Sequence, residues 1–93
     1  MERQEFDDVW SALEETPQEA ANMRMRSNLM IAIEQEVRGW KLTQAEASRR
    51  LGVTQPRLND LLRGRIDRFS LDMLVNLARG AGLSVRLDID RAA

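Results

Sequence analysis

A mainly α-helical fold with a single C-terminal β-strand is what this sequence predicts. Three observations carry that reading. Thr16-Pro17-Gln18-Glu19 and Thr43-Gln44-Ala45-Glu46 both place Thr three residues before Glu, the pattern of a capping box at a helix start. Gly39, Gly52 and Gly80-Ala81-Gly82 fall where the helical apolar spacing stops. Leu83-Ser84-Val85-Arg86-Leu87-Asp88-Ile89-Asp90 instead alternates apolar and polar residues without a break, the period of a half-buried strand. The expected organisation is five helices and one strand: an acidic N-terminal arm (1–15), a helical domain (16–82), and a C-terminal strand and tail (83–93).

The first helix is expected around Phe6, Val9, Trp10 and Leu13, which share one face at i, i+3, i+4 and i+7. Two turns alone are marginal, because nucleation is costly, so this segment needs a surface to lie on. That surface is either the protein's own core or a partner. The second helix starts at Thr16, with Pro17 in the first helical position where its missing N–H costs nothing, and is expected to stop at Gly39. Met25, Leu29, Ala32, Ile33 and Val37 are its expected core face, while Met23, Met30 and Ile31 form an additional apolar surface. A third helix runs from about Gln44 to Leu51 and ends at Gly52. Thr54 caps a fourth, Gln55 to about Arg63, with Pro56 in its first turn. Ser70 caps a fifth, with Leu71, Leu74, Val75 and Ala78 on one side.

Composition narrows the function. A chain of 93 residues suits one small domain, and its limited core makes a stable dimer helpful. With no cysteine and no histidine, a disulfide framework, thiolate metal sites and the usual general base are all missing, so no enzyme, metal site or cofactor is expected. No apolar run approaches the ~20 residues of a membrane span. Met1 to Glu5 lacks the apolar region of a signal peptide, so a cytoplasmic location without a membrane partner is expected. The net charge of −1 conceals a split. Residues 1–20 carry seven acids and one base, whereas residues 38–68 carry eight bases and three acids. A basic centre with an acidic arm points toward nucleic acid as a partner.

The basic centre coincides with a helix, a glycine turn and a second helix, the layout of a helix-turn-helix. With Leu58, Leu61 and Leu62 inward at 100° per residue, Pro56, Asn59, Asp60 and Arg63 face outward, flanked by Gln55 and Arg57. Gln suits adenine N6/N7, Arg suits guanine O6/N7, and Asp can accept from cytosine N4, so Gln55, Arg57, Asn59 and Asp60 are the candidate base readers. The helix starts at Thr43 and Thr54 offer free N–H groups to phosphates.

Leu42-Thr43-Gln44-Ala45-Glu46-Ala47, Leu51-Gly52-Val53-Thr54-Gln55-Pro56-Arg57-Leu58 and Leu62-Arg63-Gly64 closely resemble the XRE (Cro/phage-repressor) class of helix-turn-helix proteins. Phe6-Asp7-Asp8-Val9-Trp10, Thr16-Pro17, Arg26-Ser27-Asn28-Leu29, Thr54-Gln55-Pro56-Arg57 and Phe69-Ser70-Leu71-Asp72 resemble the HigA-related antitoxin subgroup, so the likeness spans roughly residues 5–87. The resemblance implies that Gln44 anchors a phosphate, Gln55 and Asp60 read bases, and Arg63 and Arg65 hold phosphates past the helix end. It also implies a bacterial, nucleoid-associated repressor that neutralises a RelE-like toxin and represses its own operon, with Phe6, Val9, Trp10 and Leu13 as toxin-binding residues. Three positions depart from the family's pattern: Pro56 replaces a polar side chain, Asp60 is acidic where Gln or Arg is commoner, and Ser48 holds the usual alanine position; these departures shift the readout toward Gln55, Arg57 and Asn59.

A lone strand needs a ladder partner for its backbone N–H and C=O groups. Pairing Leu83, Val85, Leu87 and Ile89 with the same strand of a second copy is expected to give a homodimer that reads an inverted-repeat operator in double-stranded DNA, the alternative being pairing with the chain's own N-terminal segment. Competing readings are a stand-alone XRE regulator with no toxin and a protein-interaction adaptor that no longer binds DNA.

Overall fold

The computed structural model describes residues 16–92. Within them the chain forms α1 (Pro17–Gly39), α2 (Gln44–Leu51), α3 (Gln55–Leu62), a short 3-10 turn (Ile66–Arg68) and α4 (Leu71–Gly80). Four of the five expected helices are therefore present among the described residues. The remaining one, expected around Phe6 to Leu13, lies outside them.

Both capping boxes form. Thr16 Oγ1 accepts from the Glu19 N–H at 3.0 Å while Glu19 Oε1 accepts from the Thr16 N–H at 2.9 Å, and Thr43 and Glu46 repeat the exchange at 3.1 Å each way. Each box satisfies two backbone donors that a helix start otherwise leaves free. The end of α1 differs from expectation. Gly39 is still helical, and the left-handed residue is Lys41, with φ +56°, after the Trp40 and Lys41 N–H groups have bonded back to the carbonyls of Val37 and Arg38.

The core is one cluster in which α1 packs on α4, with α2 and α3 against their ends. Ile33, Leu58, Leu61 and Leu74 are its largest fully enclosed side chains, and Phe69 closes it from the loop after α3. Of the expected face of α1, Ile33 and Val37 are buried and Leu29 packs against the core, whereas Met25 and Ala32 are exposed and Met30 completes the buried line instead. The cause is Arg26. It occupies the same line one turn before Met30 and is half-buried, donating from Nη1 to the carbonyls of Ile66 (3.1 Å) and Phe69 (3.3 Å) and from Nε to Asn22 Oδ1 (2.7 Å). A sequence pattern that counts arginine as solvent-facing puts the stripe on the wrong side of it. Here the guanidinium satisfies loop carbonyls that would otherwise lack partners.

The expected strand over 83–90 is corrected too. Leu83 is half-buried and its N–H donates to the Ala78 carbonyl at 2.9 Å, but residues 83–92 carry no secondary structure. A strand is defined by its ladder, and among the described residues of a single chain nothing lies alongside to supply one. Val85, Leu87 and Ile89 are consequently 40%, 78% and 82% exposed.

Candidate nucleic-acid interface

The α2–turn–α3 unit is built from the turn outward. Gly52 has φ +84°, a left-handed conformation that a side chain disfavours, and its N–H donates to the Ser48 carbonyl at 2.8 Å. Val53 donates to the same carbonyl at 2.9 Å and tucks half-buried beneath the turn. Ala47 and Ser48 are buried where α2 meets α3, and Ser48 Oγ returns its proton to the Ala45 carbonyl at 2.9 Å. Thr54 then starts α3, accepting from the Arg57 N–H at 3.2 Å. Pro56 lies in the first turn of α3, where no intrahelical donor is lost.

This scaffold sets Thr43, Gln44, Thr54 and Gln55 at two helix starts, all exposed. The threonine oxygens accept their caps, which leaves each hydroxyl proton free to donate outward. The first-turn N–H groups of a helix point in the same direction, an arrangement that suits a phosphate oxygen. Glu46 completes the cap of α2, and its carboxyl is held below the ordinary range. The largest cause is the Thr43 N–H, followed by the Thr43 hydroxyl; nearby Arg49 adds to them and partial desolvation opposes.

On α3, Leu58 and Leu61 are buried, Pro56 is exposed and Asn59 is half-buried. Two candidate readers are already engaged within the protein. The Arg57 guanidinium lies over the Phe69 ring at 4.3 Å, with Nη2 donating to Met73 Sδ at 3.4 Å, so it is turned toward α4. Asp60, with its side chain 19% exposed, sits between two arginines: Arg65 Nε at 3.8 Å and Arg68 Nη1 at 3.4 Å. The structure thus brings Asp60, Arg65 and Arg68 together just past α3, beside exposed Arg63, while Gln55 stands free at the other end of the helix.

Arg68 is a member of this cluster that the spacing along the chain did not reveal. Its link to Asp60 crosses the 3-10 turn, and only the fold of that turn brings them together. Arg50 is likewise engaged, 4.1 Å over the Trp40 ring, although consecutive arginines on a short helix read as a solvent-facing pair. The indole Nε1 of Trp40 is buried without a hydrogen-bond partner. Among the described residues, no helix is long and apolar enough to cross a membrane.

The outer face of α3 is polar, its rim is cationic, and a single helix of ~10–12 Å diameter fits the ~12 Å major groove of B-DNA. Comparison with known proteins agrees with this arrangement. A family described as "Helix-turn-helix domain" matches residues 12–90. No curated protein sequence matches significantly. A solved structure described, provisionally, as an XRE-family transcriptional regulator superposes with a TM-score of 0.73 at 26% identity, over 80% of this chain and 83% of that one.

Proposed function

The chain belongs to the helix-turn-helix domain family, and on that premise we propose that it is a sequence-specific DNA-binding transcriptional repressor of the XRE class. The observation that carries this is the α2–α3 unit itself. Two capped helix starts present Gln44 and Gln55 to solvent, and the end of α3 is ringed by Arg63, Arg65 and Arg68. Gln55 is the principal base reader, with Asn59 beside it. Thr43, Gln44, Thr54, Arg63 and Arg65 hold phosphates. Arg57 reads a base only by leaving Phe69, and Asp60 serves mainly to position Arg65 and Arg68. The test is titration of a duplex from the chain's own upstream region against a scrambled duplex. The duplex from the upstream region should bind more tightly, and both complexes should weaken steeply with salt, as phosphate-led binding does.

The repressor works as a homodimer on an inverted repeat. Val85, Leu87 and Ile89 are exposed apolar residues on a segment that carries no secondary structure of its own. A groove of about 240 Å³ opens beside it, lined in part by Met25, Leu29, Leu71 and Val75. The same segment of a second copy would satisfy both features, and two α3 helices would then address half-sites ~34–36 Å apart.

The biological setting that fits best is a type II toxin–antitoxin pair, with this chain as the cytoplasmic, nucleoid-associated antitoxin that neutralises a basic RelE-like toxin. What supports this is the concentration of acids and of Phe6, Val9, Trp10 and Leu13 in the first fifteen residues, which suits a basic partner surface. Co-expression with the neighbouring gene product, followed by sizing, tests it: a stable complex is expected. A stand-alone regulator is the second reading, favoured by how the superposed relative is described.

A further inference from the structure

A second apolar groove runs along α1, on the side away from the C-terminal segment. Met23, Met30 and Ile31 of α1 form one wall, Leu61 and Ile66 the other, and the space between is about 280 Å³. Met23 and Ile31 are 38% and 49% exposed. Ser27 lies four residues after Met23 and four before Ile31, so a small side chain stands between two large ones. None of these residues belongs to the proposed DNA-contacting face.

We infer that this groove is the seat of the chain's own residues 1–15. Three observations select that occupant. The first is reach. Fifteen residues precede Thr16, which enters α1 with extended φ −69° and ψ 160°. Ser27 and Met30 lie roughly 15–20 Å along α1 at ~1.5 Å per residue. Ile66 is level with them, because its carbonyl accepts from Arg26. A helical segment turning back at Glu14 and Glu15 would carry Phe6 about as far along α1 as Met23, within one turn of Ser27, with Trp10 one turn nearer the start of α1. The second is pattern. Phe6, Val9, Trp10 and Leu13 share one apolar face at helical spacing, the same spacing that puts Met23, Ser27, Met30 and Ile31 together on α1. The third is charge. Residues 1–15 hold six acids and one base, while exposed Arg24 follows Met23, and Arg63 and Arg65, which the proposed function also gives to phosphates, flank Gly64 on the far wall. Glu34, at the far end of the groove, is already paired with Arg38 at 2.9 Å. The arm is thus held on its own protein, and a partner protein that uses Phe6 or Trp10 must first draw it out.

Full-length protein labelled with 5-fluorotryptophan tests this directly, since it has only two tryptophans and Trp10→Phe assigns their 19F lines. The Trp10 line is expected away from its position in a synthetic peptide of residues 1–15. Met23→Glu and Ile31→Glu should each move it to the peptide position while the Trp40 line, reporting the fold, stays in place. Leu87→Glu should leave both lines unchanged. A Trp10 line already at the peptide position in the unmodified protein would overturn the inference, leaving the arm free for a separate partner. So would a line that neither groove substitution moves. A displacement lost on dilution, or lost with Leu87→Glu, would place the arm on a second copy and also overturn it.

Discussion

Gln55 and Asp60 sit on the same short helix and are given opposite tasks by their surroundings. Gln55 is exposed at the helix start and its side chain has no hydrogen-bond partner among the described residues, so its amide is available to a base edge. Gln55→Ala is expected to cost ~1–3 kcal/mol of discrimination at one base step, measurable by competition with single-base variants of the site. Asp60 spends its carboxylate on Arg65 and Arg68. Asp60→Asn should therefore loosen both arginines and remove a negative charge. Non-specific duplex is expected to bind more tightly, the preference for the site to narrow, and the salt dependence to steepen. The candidate readers were legible as residue types at helical spacing, because outward and inward faces follow from Leu58, Leu61 and Leu62. Their engagement was not. The Arg57 stack on Phe69 and the Asp60–Arg68 pair depend on the fold of the loop between α3 and α4, which no periodicity encodes.

At the scale of single elements, caps and the turn decide whether α2 and α3 are held at a fixed angle. Gly52→Ala places a side chain at φ +84° and is expected to cost about 1–2 kcal/mol in denaturant unfolding. Thr54→Ala removes the cap of α3 and should cost ~1 kcal/mol in the same measurement. The cap of α2 also has a pH signature. Because the folded pKa of Glu46 is lowered from 4.5, its contribution is fully present above that value and is lost as pH falls through the lower folded one. Unfolding midpoints of Glu46→Gln and the unmodified protein should therefore converge on acidification. These starts were readable from sequence, since Thr–x–x–Glu names both bonding partners within four residues. The buried line of α1 was readable only at Ile33 and Val37, because Arg26 sits on it ahead of Met30. Nothing local distinguishes an arginine that serves the Ile66 and Phe69 carbonyls from one in water.

For the whole molecule, the issue is how one small helical unit gains enough grip on DNA. The C-terminal segment shows the limit of sequence reading most plainly. Its alternation is plain in the residues, but a strand is a relation between two segments, and the described residues of one chain supply only one. Leu83 belongs to the core and donates to Ala78, whereas Leu87 and Ile89 project from it. Removing residues 85–93 should therefore leave the fold intact while abolishing dimers, as light scattering on a sizing column would show. The paired Leu87→Asp and Ile89→Asp change should do the same. Retention of dimers in both variants would place the interface elsewhere.

The central claim is that α3 reads DNA, and one measurement tests it most directly. Fluorescence anisotropy would compare the duplex upstream of the chain's own gene with a scrambled duplex, for the unmodified protein and for Gln55→Ala. The prediction is a clear preference for the upstream duplex that Gln55→Ala reduces by about one to two orders of magnitude, the equivalent of ~1–3 kcal/mol, while scrambled-duplex affinity stays the same. A preference that survives Gln55→Ala unchanged, or no preference in the unmodified protein, would contradict it.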